Sequence, residues 1–337
     1  MRGATGPSRL VISLDFELHW GGVEKWNLST AERQCYFRNT RRVIPGMLDV
    51  FAAHQVHVTW ATVGLLFCGD KKEILDTAPI MRPGYHRTEL SSYTYMDCIG
   101  IGADESSDPY HYGRSLLEEI LKTPGMEVGS HTFSHFYADE PGQTSDEFRA
   151  DLQAAQVAAG RMGLKLHSLV MPRNQIVPEY LAVCAEEGFT SIRINPKDWY
   201  WQIPSVQPET VWKRINRFAD AYVPNGHRTS YPLDALMLNP GEPLRIPASR
   251  LLRPYDARLG PLNRMRLRRI MNEMTDAARN GEVYHLWWHP HNFGSFPDES
   301  LKDLAELLEH YADLYRSYGM LSCTMGELTD AFKLTRS

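Results

Sequence analysis

Residues 9–20 read RLVISLDFELHW, and the fold turns on how this stretch is read. Arg9–Asp15 is apolar-rich and β-prone, and residues 27–55 after it carry helical spacing, with Pro45 expected to mark a break or a new first turn. That is one strand followed by one helix, and the unit recurs. VHVTWATVG (56–64) repeats the strand pattern, YGRSLLEEILKT (112–123) the helix, and MEVGSH (126–131) the strand again. TSDEFRADLQAAQVAAGRMG (144–163) opens with a capping box from Thr144 to Glu147 and closes on Gly163. LHSLVMP, PEYLAVCAEEGF and TSIRIN continue the alternation, and EVYHLWWH (282–289) is a late strand ahead of the helix DESLKDLAELLEHYADLY. Such alternation predicts a parallel sheet, and the number of units favours a closed or nearly closed barrel.

Two stretches break the rhythm, 69–111 and 202–261, both dense in Pro, Gly, Tyr and polar residues. They read as long loop insertions in one barrel domain spanning 9–330. On a barrel the functional loops follow the strands at the C-terminal face, so substrate selectivity is expected there.

Composition narrows the function. The 337 residues are 43% hydrophobic and 23% charged, which is soluble globular usage. Lys and Arg number 36 against 41 Asp and Glu, a net charge of -5, so no global positive field exists to hold a nucleic-acid backbone. The N-terminal residues have no signal-peptide core, and no stretch reaches the roughly 18 uninterrupted apolar residues of a spanning helix. A cytoplasmic protein without a transmembrane segment is expected. The five cysteines (35, 68, 98, 184, 323) form no CxxC pair and indicate neither a disulfide frame nor a thiolate zinc site. Oligomeric state is not legible.

Residues able to carry chemistry gather at the strand C-terminal ends. In GSHTFSH, His131 and His135 lie four apart directly after a strand. On a helical turn that spacing puts both imidazoles on one face, able to bind one metal; an isolated pair equally suits satisfied polar residues near a strand end. In SLDFELHWG, Asp15 and Glu17 share a face if the strand stays regular, either as a wet face or as two buried carboxylates that need a cation or donors. LVMPRNQ places Arg173 and Asn174 after a strand, where the arginine could orient a carboxylate with a two-pronged hydrogen bond or be an ordinary loop residue. In HLWWHPHNFG, His285, His289 and His291 surround Trp287 and Trp288. The basic run RMRLRR (264–269) reads as a solvated helix face, or as a contact for a diphosphate or a membrane surface.

In motif order, from about Leu10 to beyond His289, the chain resembles the polysaccharide deacetylase family, the NodB-homology or carbohydrate esterase family 4 group. The resemblance implies an irregular (β/α) barrel of seven or eight units with one divalent metal. SLDFE matches the family's acidic motif, usually two adjacent aspartates, in a DxE variant: Asp15 matches the catalytic base and Glu17 the displaced second acid. HTFSH matches H(S/T)xxH, so His131 and His135 carry over as metal ligands beside Glu17. VHVTWATVG looks like the family's second-strand segment. MPRNQ resembles the RxPY motif loosely, so Arg173 matches the arginine that holds the base, while the usual aromatic and glycine are missing. WWHPH resembles the motif of the general-acid histidine, with His289 the better match and His291 its competitor. KDWYW, near Asp198 and Trp199, resembles the motif that tunes that histidine.

The reaction this implies is metal-dependent removal of an N-acetyl group from an acetylated sugar in glycan or glycoconjugate assembly. Asp15 takes a proton from water and His289 returns one to the departing amine. Two imidazoles and a carboxylate suit zinc, with cobalt, nickel or iron able to take the same place. An alignment that exchanges the roles of Asp15 and Glu17 stays open. Two other functions compete: hydrolysis of a non-sugar amide or cyclic ureide, and an inactive carbohydrate-binding homologue that has lost its base.

Overall fold

The computed structural model describes residues 6–25, 28–201, 210–224 and 226–336. Nine strands are present among them: β1 (Arg9–Phe16), β2 (Val58–Thr62), β3 (Met126–Ser130), β4 (Ser168–Val170), β5 (Ser191–Ile194), β6 (Leu244–Pro247), β7 (Arg250–Leu251), β8 (Val283–Trp288) and β9 (Leu321–Cys323). They lie in the order β6-β5-β4-β3-β2-β1-β8-β7, and every pairing between them is parallel. The lower half of one β1 edge, Arg9–Val11, takes β9, and its upper half, Ser13–Phe16, takes β2.

The two ends of this order, β6 and β7, are consecutive in the chain and separated by Ala248 and Ser249 alone. The Ala248 N–H donates to the Ile194 carbonyl on one side (2.8 Å) and the Ser249 N–H to the His285 carbonyl on the other (2.7 Å). The covalent chain thus joins the edges of the sheet, and the result is the irregular α/β barrel expected. Residues 202–261, expected to be loop, supply these closing strands. Two strands of four and two residues, set among Pro, Gly and charged side chains, are too short to show a period in sequence. Residues 202–209 of that insertion lie outside the described residues.

Ten helices accompany the strands in the described residues: α1 (Ala31–Ala53), α2 (Lys71–Thr77), α3 (Ser92–Cys98), α4 (Arg114–Lys122), α5 (Ser145–Gly160), α6 (Leu181–Glu186), α7 (Val211–Ala219), α8 (Pro261–Asn280), α9 (Pro297–Tyr318) and α10 (Met325–Leu334). The capping box of α5 has both halves in place, Thr144 accepting from the Glu147 N–H and Glu147 from the Thr144 N–H. Pro45 does not end α1, which runs through it. Buried Ile44, Met47, Leu48 and Phe51 hold both sides of the helix on the core, and their burial offsets the roughly 3 kcal/mol an interior proline costs. The insertion 69–111 carries α2 and α3.

Every residue of β1 from Leu10 onward is buried, because helices cover the sheet outside and side chains fill it inside. Leu10, Ile12 and Leu14 join Trp60, Trp288 and the helix faces in the outer core. Val11, Ala61, Val170, Ile246 and Val283 meet Met325, Leu328 and Phe332 of α10 in the inner one. The Met325 N–H donates to Thr59 Oγ1 (2.8 Å) and the Gly326 N–H to Glu127 Oε2 (3.1 Å), so α10 is pinned over the N-terminal half of the interior. Asp15, Glu17, His131 and His135 stand at the opposite, C-terminal end.

Candidate active site

β1 delivers Asp15 to the barrel interior, and a 3-10 turn at Leu18–Trp20 begins immediately after Glu17. Both carboxylates are buried, each 3% exposed, which removes the wet-face alternative. Gly21 makes room for this arrangement, since a Cβ there would overlap the Glu17 carboxylate. The turn is tied to the insertion: the Trp20 indole donates to the His111 carbonyl (2.8 Å), and His111 lies between Asp108 (2.7 Å) and His19 (3.0 Å).

Glu17 Oε1 sits 2.9 Å from His131 Nε2 and 3.2 Å from His135 Nε2. The histidines do not share a helical turn. Thr132 and His135 adopt left-handed backbone, φ 62° and 59°, and the loop doubles back so that both rings face the same carboxylate. Asp151 on α5 holds it by accepting from the Phe133 and Ser134 N–H groups, and the Phe136 N–H donates to Thr132 Oγ1 (2.7 Å). Gly64 packs so close to the Phe133 backbone that a side chain there would collide.

Asp15 meets a different partner. Arg193 on β5 reaches across the interior, fully buried, and donates from Nη1 to Oδ1 (2.6 Å) and from Nη2 to Oδ2 (2.7 Å). Its remaining donors go to Ser13 Oγ (3.0 Å) and Asn174 Oδ1 (3.1 and 2.8 Å), and its plane lies 4.3 Å from the centre of the Trp287 ring. His285 stands 2.8 Å from Ser13 Oγ, and burial together with the Arg193 charge pushes its pKa down to about 3, so it is neutral. Arg173, expected to hold Asp15, does not. At φ 56° and 52°, Arg173 and Asn174 turn left-handed in succession. Asn174 thereby reaches Arg193, while Arg173 pairs with Glu24 (2.7 Å) and stacks 3.9 Å over Tyr137.

Burial pushes both carboxyls up, and their neighbours more than offset it. Arg193, with His289 and His131, leaves Asp15 below its ordinary range. His289 and the hydrogen bonds of His131 and His135 hold Glu17 well below its own. Burial also lowers His135, and it pushes His291 down to about 4. His289 Nε2 lies 3.6 Å from Asp15 Oδ2 and 3.8 Å from Glu17 Oε1. The side chain of His289 is 26% exposed into a cavity of about 270 Å³, whereas that of His291 is 6% exposed, with Nδ1 3.7 Å from Glu17 Oε2. Asp15, Glu17, Tyr137, Arg173, Trp201 and Trp287 are among the other residues lining the cavity. Asp198, matched to the motif that tunes the late histidine, instead accepts from His227 Nδ1 (2.7 Å), and Trp199 beside it is exposed.

Arg193 and the interior role of His285 were missed by the sequence reading. The signal for Arg193 was a cation inside the apolar strand SIRI, one residue pair on from Ser191 and so on the same face. A charge there requires a buried counter-charge.

The donor set fits a divalent ion. Glu17, His131 and His135 each offer one ligand atom, all within 4.8 Å of one another, and the set joins one carboxylate to two imidazoles. Asp15, Glu17 and His289 form a second candidate group, but both Asp15 oxygens are already engaged by Arg193.

A polysaccharide-deacetylase-type protein from Mycobacterium smegmatis aligns over 100% of this chain and 94% of its own, with a TM-score of 0.61 at 11% identity. The Puue allantoinase aligns over 97% and 90% (TM-score 0.55, 12% identity). A polysaccharide-deacetylase-type protein from Pseudomonas aeruginosa PAO1 aligns over 96% and 89% (TM-score 0.54, 11% identity). No protein-family model and no curated protein matches the sequence. At these identities the similarity is one of fold: the chain is an irregular (β/α) barrel of the polysaccharide-deacetylase type.

Proposed function

We propose that this protein is a metal-dependent hydrolase that removes an N-acetyl group from an acetylated sugar in glycan or glycoconjugate assembly. The observation that carries the reading is the pairing of a Glu17–His131–His135 donor cluster with an Arg193-held Asp15 at the floor of one cavity. Glu17, His131 and His135 would hold a divalent ion, zinc or else cobalt, nickel or iron, and the chemistry it would supply there is Lewis acidity toward a carbonyl and a water.

The remaining work falls to the side chains. Arg193 keeps Asp15 ionised and fixes its carboxylate plane, so Asp15 can accept the proton of an attacking water. His289, between Asp15 and the cavity, is placed to hand a proton to the amine as the amide C–N bond breaks. Tyr137, Trp201 and Trp287 give the cavity aromatic walls, a surface suited to the apolar faces of a sugar ring.

Hydrolysis of a cyclic ureide or other non-sugar amide is the second reading, favoured by the fold shared with the Puue allantoinase. The inactive reading is disfavoured because both carboxylates and the matched histidines converge in space. The test is acetate release by the metal-loaded protein from a panel of free, nucleotide-linked and lipid-linked N-acetyl sugars, with ureide ring opening followed in parallel. Ring opening without acetate release selects the second reading, and no turnover of any of these overturns the first.

A further inference from the structure

The helix α7, VWKRINRFA, is inside out. Its apolar residues Val211, Trp212, Ile215 and Phe218 recur at helical spacing on one arc, and that arc faces solvent: Trp212 is 69% exposed and Val211 65%. No residue of this helix is fully buried. The half-buried positions are Lys213, Asn216, Arg217 and Ala219, so the polar side lies toward the protein. Trp199, in the turn that contacts this helix, is exposed as well. A surface helix that leaves four large apolar side chains in water lacks the favourable burial that normally holds it in place.

What surrounds this arc is basic. A groove of about 560 Å³ runs along its edge, lined by Val211, Ile215 and Phe218 and by Arg214, Arg217 and Arg253. Arg253 donates to the Arg217 carbonyl (3.2 Å), and no carboxylate lies within ion-pair distance of it among the described residues. Burial, and repulsion from Arg217, Arg250 and Arg266, act against its charge, with Tyr222 opposing. An anion in the groove relieves that repulsion. Three of the four arginines of the run 264–269, by contrast, are paired within the fold: Arg264 with Glu306, Arg266 with Asp303, and Arg269 with Glu273.

The helix is also continuous with the catalytic cavity. The Arg217 guanidinium donates to the Tyr200 carbonyl (3.0 Å) and lies over the ring of Trp201, which lines that cavity and meets Trp287 edge-on. An apolar arc edged by the exposed Arg214, with Arg217 and Arg253 half-buried behind it, is complementary to an anionic lipid surface: the apolar side chains enter the acyl boundary while the Arg214 guanidinium meets the headgroups. We propose that α7 is an interfacial anchor that seats the mouth of the barrel on an anionic membrane leaflet.

The experiment is sedimentation of the full chain with vesicles of phosphatidylcholine alone, or of roughly three parts phosphatidylcholine to one part phosphatidylglycerol. The protein is expected to bind only the second, less tightly as salt is raised. Trp212→Ser/Phe218→Ser, which removes two exposed side chains, should weaken binding at least about tenfold with an unchanged thermal midpoint. Arg214→Glu should weaken it by roughly fivefold or more. Absence of binding to the anionic vesicles, or equal binding by the variants, overturns the proposal. So does a concentration-dependent dimer, abolished by Trp212→Ser/Phe218→Ser, that binds no vesicle: the apolar arc then belongs to a second copy of this chain. None of these readouts depends on catalysis, so they stand apart from the proposed reaction.

Discussion

The Arg193 guanidinium, on β5, meets both carboxylate oxygens of Asp15, on β1, at 2.6 and 2.7 Å, and neither side chain has significant contact with water. Two residues 178 positions apart in sequence are thereby locked in one plane at the bottom of the cavity.

Removing one partner of that pair should be severe. Arg193→Met leaves Asp15 buried without a counter-charge and is expected to destabilise the fold by ~3–5 kcal/mol, measured by urea unfolding. Asp15→Asn/Arg193→Met should recover a large part of that loss. Arg173→Ala, which breaks a pair 30% exposed at the arginine and 8% at Glu24 and removes the stacking on Tyr137, should cost about 1–2 kcal/mol, well below Arg193→Met. Equal losses in the two arginine variants would contradict the assignment of Arg193.

The carboxylates are expected to separate by function. Glu17→Gln should leave the purified protein nearly free of divalent metal by elemental analysis, because both imidazoles converge on that side chain. Asp15→Asn should retain the metal and lose turnover by roughly 10²–10⁴-fold. The opposite pattern would exchange their roles.

For the late histidine, His289→Ala is expected to remove most of kcat and the basic limb of the pH–rate profile while metal content stays constant. His291→Ala should alter activity less, since that side chain is buried and does not line the cavity. Its position beside Glu17 predicts instead a modest loss of metal affinity. An inactive His291→Ala beside an active His289→Ala would refute the choice.

Gly21→Ala tests the packing around Glu17. The added methyl occupies the space of the Glu17 carboxylate, so the side chain must move away from His131 and His135. Metal affinity should fall while the far-UV circular dichroism keeps its shape; unchanged affinity would mean the turn yields instead.

Asp151 predicts a pH dependence. Burial pushes its carboxyl up to about 6, against the donors of Phe133 and Ser134 that favour the charged form. A folded pKa above the unfolded one means that the native state takes up the proton first, so this group adds stability as pH falls from about 6 toward 4. The shift of about two units corresponds to roughly 3 kcal/mol. The gap in unfolding free energy between wild type and Asp151→Asn should therefore move in favour of wild type between pH 7 and pH 5. A gap independent of pH would show Asp151 to be fully ionised throughout.

Sequence alone determined the strand–helix alternation, the barrel class and the identity of five polar side chains at strand ends: Asp15, Glu17, His131, His135 and His289. These were legible because a hydrophobic period is local, and because a carboxylate or imidazole ending an apolar strand stands out against it. Tertiary structure decided what those residues touch. The partner of Asp15 is an arginine on another strand: a cation inside the apolar strand SIRI calls for a buried counter-charge, but which carboxylate supplies it is set by strands distant in sequence. The histidine pair is brought together by two left-handed residues and by Asp151 from a helix beyond the loop, not by a helical turn. Closure of the barrel depends on two strands too short to carry a period, and the outward apolar arc of α7 becomes visible only once its other side is seen against the protein. In each case the deciding energy is the burial or pairing of groups distant in sequence, and that term exists only after the chain has folded.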